Sequence, residues 1–232
     1  MPYCAAEEFW CQLWRFQSLI AAAVTLLIGG ISIFLVYRHQ EYIQDKDIDE
    51  RRRQLRASRA GLTLALSELT DYAEKMYRAF SDLVAQFDDH DRLPDAYTMP
   101  AFPLISDGPL NIINDCIVLA DEEDAIPLSH LISFAQIQKS RSQGRIESIA
   151  NSSISGRNTT QEDLLHDTLD AAILYAATIR CFAYARNETV HIHPFPPLDG
   201  LGGRALNEPH AAEKLIRAFL ERHWDQAAKR FK

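Results

Sequence analysis

LIAAAVTLLIGGISIFLVY, residues 19–37, carries neither charge nor proline. At about 1.5 Å of rise per residue such a helix spans about 30 Å, the thickness of a bilayer's hydrocarbon core. Trp10, Trp14 and Phe16 precede it, and Tyr37 and Tyr42 close it, as aromatic residues do at the two membrane interfaces. A cleaved signal peptide would need a basic start, a shorter apolar run and a small-residue cleavage site. Here Glu7 and Glu8 face only Arg15, and the run ends in FLVYRHQ. The stretch therefore reads as a single transmembrane helix, preceded by a short N-terminal piece, residues 1–18.

Cation asymmetry sets the expected orientation. Arg15 stands alone before the segment, whereas Arg38, Lys46, Arg51, Arg52 and Arg53 follow it. The positive-inside rule places the large C-terminal part in the cytoplasm, on a plasma (inner) membrane, with the short N-terminus outside. Three sequons, at Asn151, Asn158 and Asn187, pull the other way. Asn, Ser and Thr also gather at helix ends and loops for capping reasons, and all three triplets lie at such places.

Small residues gather on the membrane helix. Ala21, Thr25 and Gly29 are four apart, with Ala22 and Gly30 beside them. A face of this kind lets two helix backbones approach closely, so it is the expected contact face for a second copy or a protein partner.

Beyond the membrane, residues 38–91 read as a long helix. Leu62, Leu66, Leu69, Ala73, Met76, Phe80, Leu83 and Phe87 alternate steps of four and three, a heptad stripe. Ile48 and Leu55 keep the phase upstream, but Arg52 and Arg59 interrupt the seam. Leu64, Ala65, Tyr72, Tyr77 and Val84 widen the face beyond a two-stranded coiled coil, which favours a bundle. Gly61 marks either a mild kink or a close helix contact.

Residues 92–232 read as the rest of a helical bundle. DDHDRLPD (88–95) ends the long helix, and a proline-rich connection follows. Ser106 or Asp107 with Pro109 starts a short helix through Leu110, Ile113 and Ile117. Pro127 is expected to open the next helix, continuing toward Ile149. After NSSISGRN, Thr159 or Thr160 with Glu162 and Asp163 forms a capping box for a helix through Leu165, Leu169, Ala172, Ala176, Ile179 and Ala183, ending near Asn187. Val190–Ile192 is at most a short extended piece. A last helix begins near Asn207 and Pro209 and carries Leu215, Ile216, Phe219, Leu220 and Trp224. The expected fold is all-α, with an N-terminal transmembrane helix continuing into a long amphipathic helix packed in a bundle.

The chain has 232 residues and a net charge of −8, from 24 Lys plus Arg against 32 Asp plus Glu. An acidic balance disfavours general nucleic-acid binding, which draws on a positive field. Cys4, Cys11, Cys116 and Cys181 have no CxxC spacing and read as free thiols in a reducing compartment.

Motifs for chemistry are sparse. His191 and His193 form an H-x-H pair that, with Asp199 or His210, would suit a metal; without an assigned third ligand, surface or partly packed histidines beside a proline-rich turn are the preferred reading. His166-Asp167 resembles the HD dyad of metal-dependent phosphohydrolases, which are also all-helical. That resemblance implies an upstream His and a distant Asp, for which His130 and Asp199 are the nominees. TLDAA follows the dyad here, where the family shows a Gly and then a basic residue or His, and the dyad lies inside one periodic helix. A membrane-tethered metal-dependent hydrolase is thus the alternative, and a motif coincidence the preferred reading. DEED (121–124) lacks the alternation and central Gly of a calcium loop. DGLGGR (199–204) has no preceding strand and no GK[ST], so it reads as a turn. Neither a nucleophile motif nor a cofactor-binding motif is present.

Arg51, Arg52, Arg53, Arg56 and Arg59 place five arginines in nine residues. They lie roughly 20 Å along the helix from Tyr37, beyond a Debye length at physiological salt, which makes lipid attraction modest. Topology determination and salt bridges to Asp45, Asp47, Asp49 and Glu50 account for them, with docking of an acidic partner as the functional reading. The expected role is a membrane-anchored interaction protein, an accessory or scaffold subunit, whose partners are the bilayer and a protein or second copy met through membrane helix and stalk.

Overall fold

A computed structural model describes residues 4–88, 93–94, 96–150, 159–198 and 213–231, with side chains from Phe16 onward apart from Ser18, Ile20 and Phe231. Every regular element among them is helical. These are α1 (Cys4–Val84), α2 (Asp107–Leu119), α3 (Glu122–Ala150), α4 (Gln161–Ile179), the single turn α5 (Phe182–Ala185), α6 (Glu213–Ala228) and a 3-10 turn (Lys229–Phe231). The chain divides into two compact units, Met1–Arg52 and Arg53–Lys232.

In the first unit, α1 is one helix long and apolar enough to cross a membrane. Its most apolar 18-residue window has a mean hydropathy of 1.9, and none of that window is buried. Leu26, Leu27, Ile31, Ile33 and Phe34 are all well over half exposed. A continuous apolar surface of this size is stable only outside water, which supports single-pass membrane topology. Trp10, Trp14, Cys4 and Cys11 have side chains outside the described set.

The second unit is a bundle built around the distal part of α1. Leu62, Leu66, Leu69, Ala73, Met76, Phe80 and Leu83, the whole heptad stripe up to Phe87, are fully buried, and Phe87 packs against them half-buried. Ala65, Tyr72, Tyr77 and Val84 widen this surface as expected. Leu64 does not: it is 62% exposed. It falls in the row Glu68, Asp71, Lys75, Arg78 and Asp82, again at steps of four and three, which carries the pair Lys75–Asp71 and, through Arg78, a pair to the adjacent Glu74.

The helices after Pro94 close on α1 within the chain, contributing Leu110, Ile113, Leu128, Leu131, Leu165, Leu169, Ile216 and Leu220 to the same core. Gly61 is a close contact, since a Cβ there would stand 3.4 Å from Ile112 of α2. The Val84 carbonyl accepts from Gln161 at 3.5 Å, tying the end of α1 to the start of α4.

Residues 97–105, between α1 and α2, pack against α1. Gln86 holds Thr98 through both amide atoms, accepting from its N–H at 2.7 Å and donating to its carbonyl at 3.0 Å. Phe102 lays its ring on Phe80, centroids 5.2 Å apart. This strap uses prolines where no N–H is needed and a phenylalanine as its anchor.

Two boundaries differ from expectation. Pro127 lies inside α3, which begins at Glu122, so the acids after Asp121 form its first turn. Asp121 accepts from the N–H groups of Asp124 and Ala125, and the carboxylates favour the positive end of the helix. The fourth helix is interrupted: α4 ends at Ile179, and a tight turn through Arg180 and Cys181 leads into α5. Ile179, expected inside, is 39% exposed as a result. At the start of α4, Thr160 is the N-cap and Asp163 returns its bond, closing the capping box. Val190–Ile192 forms no strand. The starts proposed at Asn207 and Pro209, the sequons at Asn151 and Asn158, and Asp199 and His210 lie outside the described residues.

Gly144 sits on the exposed side of α3, where an added Cβ would meet nothing within 4 Å. Gly144→Ala is expected to stabilise the bundle by about 0.5–1 kcal/mol through backbone entropy. A denaturant midpoint at or below the parent's contradicts this.

Candidate functional site

The first candidate is the membrane-helix face. Thr25 donates its hydroxyl to the Ala21 carbonyl at 2.8 Å, so its polar atom is satisfied within the helix. Cβ atoms added at Gly29 or Gly30 would meet nothing within 4 Å. Ala21, Ala22, Thr25, Gly29 and Gly30 therefore offer backbone-level access on a helix that the described chain leaves uncovered.

The histidine and acid motifs are placed as follows. Asp167 of α4 is buried and accepts from Arg145 Nε of α3 at 2.8 Å. Arg145 also reaches Asp163 at 3.3 Å. His166, its neighbour in the dyad, meets the edge of Phe219 and the ring of His223 on α6, at centroid distances of 4.9 and 5.8 Å. Asp167 is thus committed to an inter-helix ion pair. His130 lies half-buried on α3.

The H-x-H pair divides in the same way. His191 Nδ1 stands 3.4 Å from Asp124 and 3.6 Å from Glu123, while His193 is exposed. Asp124, buried in the first turn of α3, also accepts the Ile192 N–H at 2.9 Å. This carboxylate clasps the loop after α5 to the start of α3. Among the described residues, no group of three or more His, Cys, Asp or Glu side chains is placed to hold a metal ion.

The arginine-rich turn also separates into roles. Arg53 and Arg56, in the bundle unit, are exposed, as are Arg51 and Arg52 in the first. Arg59 turns inward: its guanidinium lies 3.6 Å over the Tyr184 ring and donates to Asn187 Oδ1 at 3.2 Å and the Val190 carbonyl at 3.4 Å. Asn187 has φ 59, a left-handed conformation that Asn tolerates better than most residues. Arg59 thereby fixes the turn that ends α5. Cys116 and Cys181 are free and buried, and burial pushes the Cys181 thiol up to about 12, so it is inert as a nucleophile.

The carboxylates of α4 titrate in opposite senses. Partial burial raises Asp163, but its bonds from Thr160 together with Arg145 outweigh that and hold it below 3.8. Burial pushes Asp167 above 3.8 against the pull of Arg145, helped by Asp170 and Asp163. Asp163 stabilises the fold when ionised, and that contribution disappears as pH falls through its lowered pKa. Asp167 works the other way, since its folded form holds the proton more tightly than the unfolded chain. Asp167→Asn should therefore make stability climb more steeply with pH just above 3.8, whereas Asp163→Asn should flatten the decline below it. Unfolding midpoints across acidic pH check both; an identical profile for the two variants contradicts the assignment.

No family model, curated protein or solved structure matches the chain. The functional reading rests on these residues.

Proposed function

We propose that this chain is a membrane-anchored helical interaction protein, an accessory or scaffold subunit of a membrane-associated complex, with its bundle on the cytoplasmic side of a plasma (inner) membrane. The observation that carries the reading is the small-residue face of the membrane helix, Ala21, Ala22, Thr25, Gly29 and Gly30. Helices in lipid gain little from hiding apolar surface from one another; they associate where small residues let backbones pack closely. The bundle's own apolar stripe is consumed by its core, which directs association to the membrane helix. The cation asymmetry supports the orientation.

Gly29→Leu fills the face while keeping the segment apolar. Recovered from native membranes in mild detergent, the parent chain is expected in a complex, with itself or a partner, and the variant largely alone. A parent chain that is monomeric and solitary under these conditions overturns the reading.

A further inference from the structure

Where α3, α4 and α6 meet, the bundle has a small cavity of about 200 Å³ whose polar lining is Arg141, His166, Asp170, His223, Gln226 and Arg230. Buried Leu169 and Ala227 supply apolar wall. These polar groups come from α3, α4, α6 and the final 3-10 turn, so the cavity exists only in the folded bundle. Its charge is unbalanced. Among the described residues, Asp170 is the single carboxylate of the lining. It serves two arginines: Arg141 at 2.8 Å on one oxygen and Arg230 at 3.9 Å on the other.

Each guanidinium carries five N–H donors, more than one shared carboxylate can accept. Both arginine side chains remain over half exposed, at 55% and 58%, with donors free to turn to a ligand. His166 and His223 add ring N–H groups from facing helices. Asp163 and Asp167 lie outside this lining, where they share Arg145.

We propose that this cavity binds an oxyanion of phosphate type, free or as a phosphate monoester, with Arg141 and Arg230 as charged donors and His166 and His223 as hydrogen-bonding partners. Paired arginines recognise planar and tetrahedral oxyanions through parallel N–H bonds, and the lining itself sets two arginines against one carboxylate. Asp170 orients the two guanidinium groups and competes with the ligand for them. The proposal stands on the bundle and is independent of what the membrane helix contacts.

The test uses the full chain in phosphatidylcholine nanodiscs, titrated with inorganic phosphate at constant ionic strength and followed by calorimetry. Saturable binding is expected. Arg230→Gln should weaken it by about tenfold or more, the loss of one charge-assisted hydrogen-bonding group. Asp170→Asn should tighten it, because it frees both arginines, a gain that a purely structural ion-pair network would not produce. His223→Gln, which leaves the ion pairs intact, should also weaken it. Nanodiscs containing phosphatidate distinguish the source: competition with added phosphate identifies a lipid phosphate as a ligand, and its absence identifies the free ion. A response to phosphate no different from chloride, or equal binding by the parent, Arg230→Gln and Asp170→Asn, overturns the proposal.

Discussion

Phe80→Ala is expected to destabilise the bundle by about 3–5 kcal/mol, the cost of removing a buried aromatic side chain and leaving its cavity. Phe80 is fully buried in α1 and is the surface on which Phe102 of the strap rests. Two losses follow. The core around Leu83 and Met76 loses packing, and the strap loses its aromatic anchor, while the Gln86 bonds to Thr98 and a 3.4 Å bond from the Tyr97 hydroxyl to the Ile149 carbonyl remain. Amide exchange across residues 97–105 should therefore accelerate more than the global destabilisation requires. Phe102→Ala, at a half-buried position, should free the strap at a smaller cost to the core. Denaturant unfolding with exchange mass spectrometry measures both; equal exchange in the strap and in α4 contradicts the anchor.

Asp124→Ala is expected to cost about 2–3 kcal/mol, the scale of a charge-assisted hydrogen bond whose loss also strands its donor. The carboxylate is buried and joins the first turn of α3 to Ile192 and His191. Its removal leaves the Ile192 N–H without its acceptor and loosens residues 190–198. Those residues carry Phe195, whose ring lies 5.8 Å from Trp224 and 5.6 Å from Arg180. Asp124→Asn keeps an acceptor oxygen and should cost distinctly less. An Asp124→Ala protein with the parent's unfolding midpoint would show that the clasp contributes nothing.

The parts of this fold that sequence made legible are those encoded locally. A stripe at alternating steps of four and three has one physical solution, a helix with that face buried, and all its members up to Leu83 are fully buried. The capping box from Thr160 to Asp163 is likewise a four-residue signal with its own hydrogen bonds. Leu64 misled because apolar character alone does not assign a face; its angular position, beside Glu68 and Asp71, does. The break after Ile179 has no Gly or Pro to announce it, and apart from Arg180 the residues through Ala185 are apolar or aromatic. Pro127 misled in the opposite sense, because a proline one turn into a helix gives up a hydrogen bond that α3 does without.

Long-range polar pairs were not legible. Asp124 with Ile192, Arg59 with Asn187 and Arg145 with Asp167 connect residues that no local pattern relates. Each converts a residue that stood out in sequence into part of the scaffold. DEED supplies a loop clasp, the arginine cluster supplies a turn lock, and the HD pair supplies half of an ion pair. The cavity lined by Arg141 and Arg230 emerges only when three helices meet.

The small-residue face of the membrane helix around Gly29 and Gly30 is the proposed protein contact. Photo-crosslinking in native membranes tests it directly, with a reactive side chain placed at Gly29 or, on the opposite side of the helix, at Ile31. Crosslinks to a protein, either a second copy or a partner, from Gly29 and not from Ile31 are the predicted result. Crosslinks to lipid alone from both positions would contradict the claim that this helix acts through a protein contact.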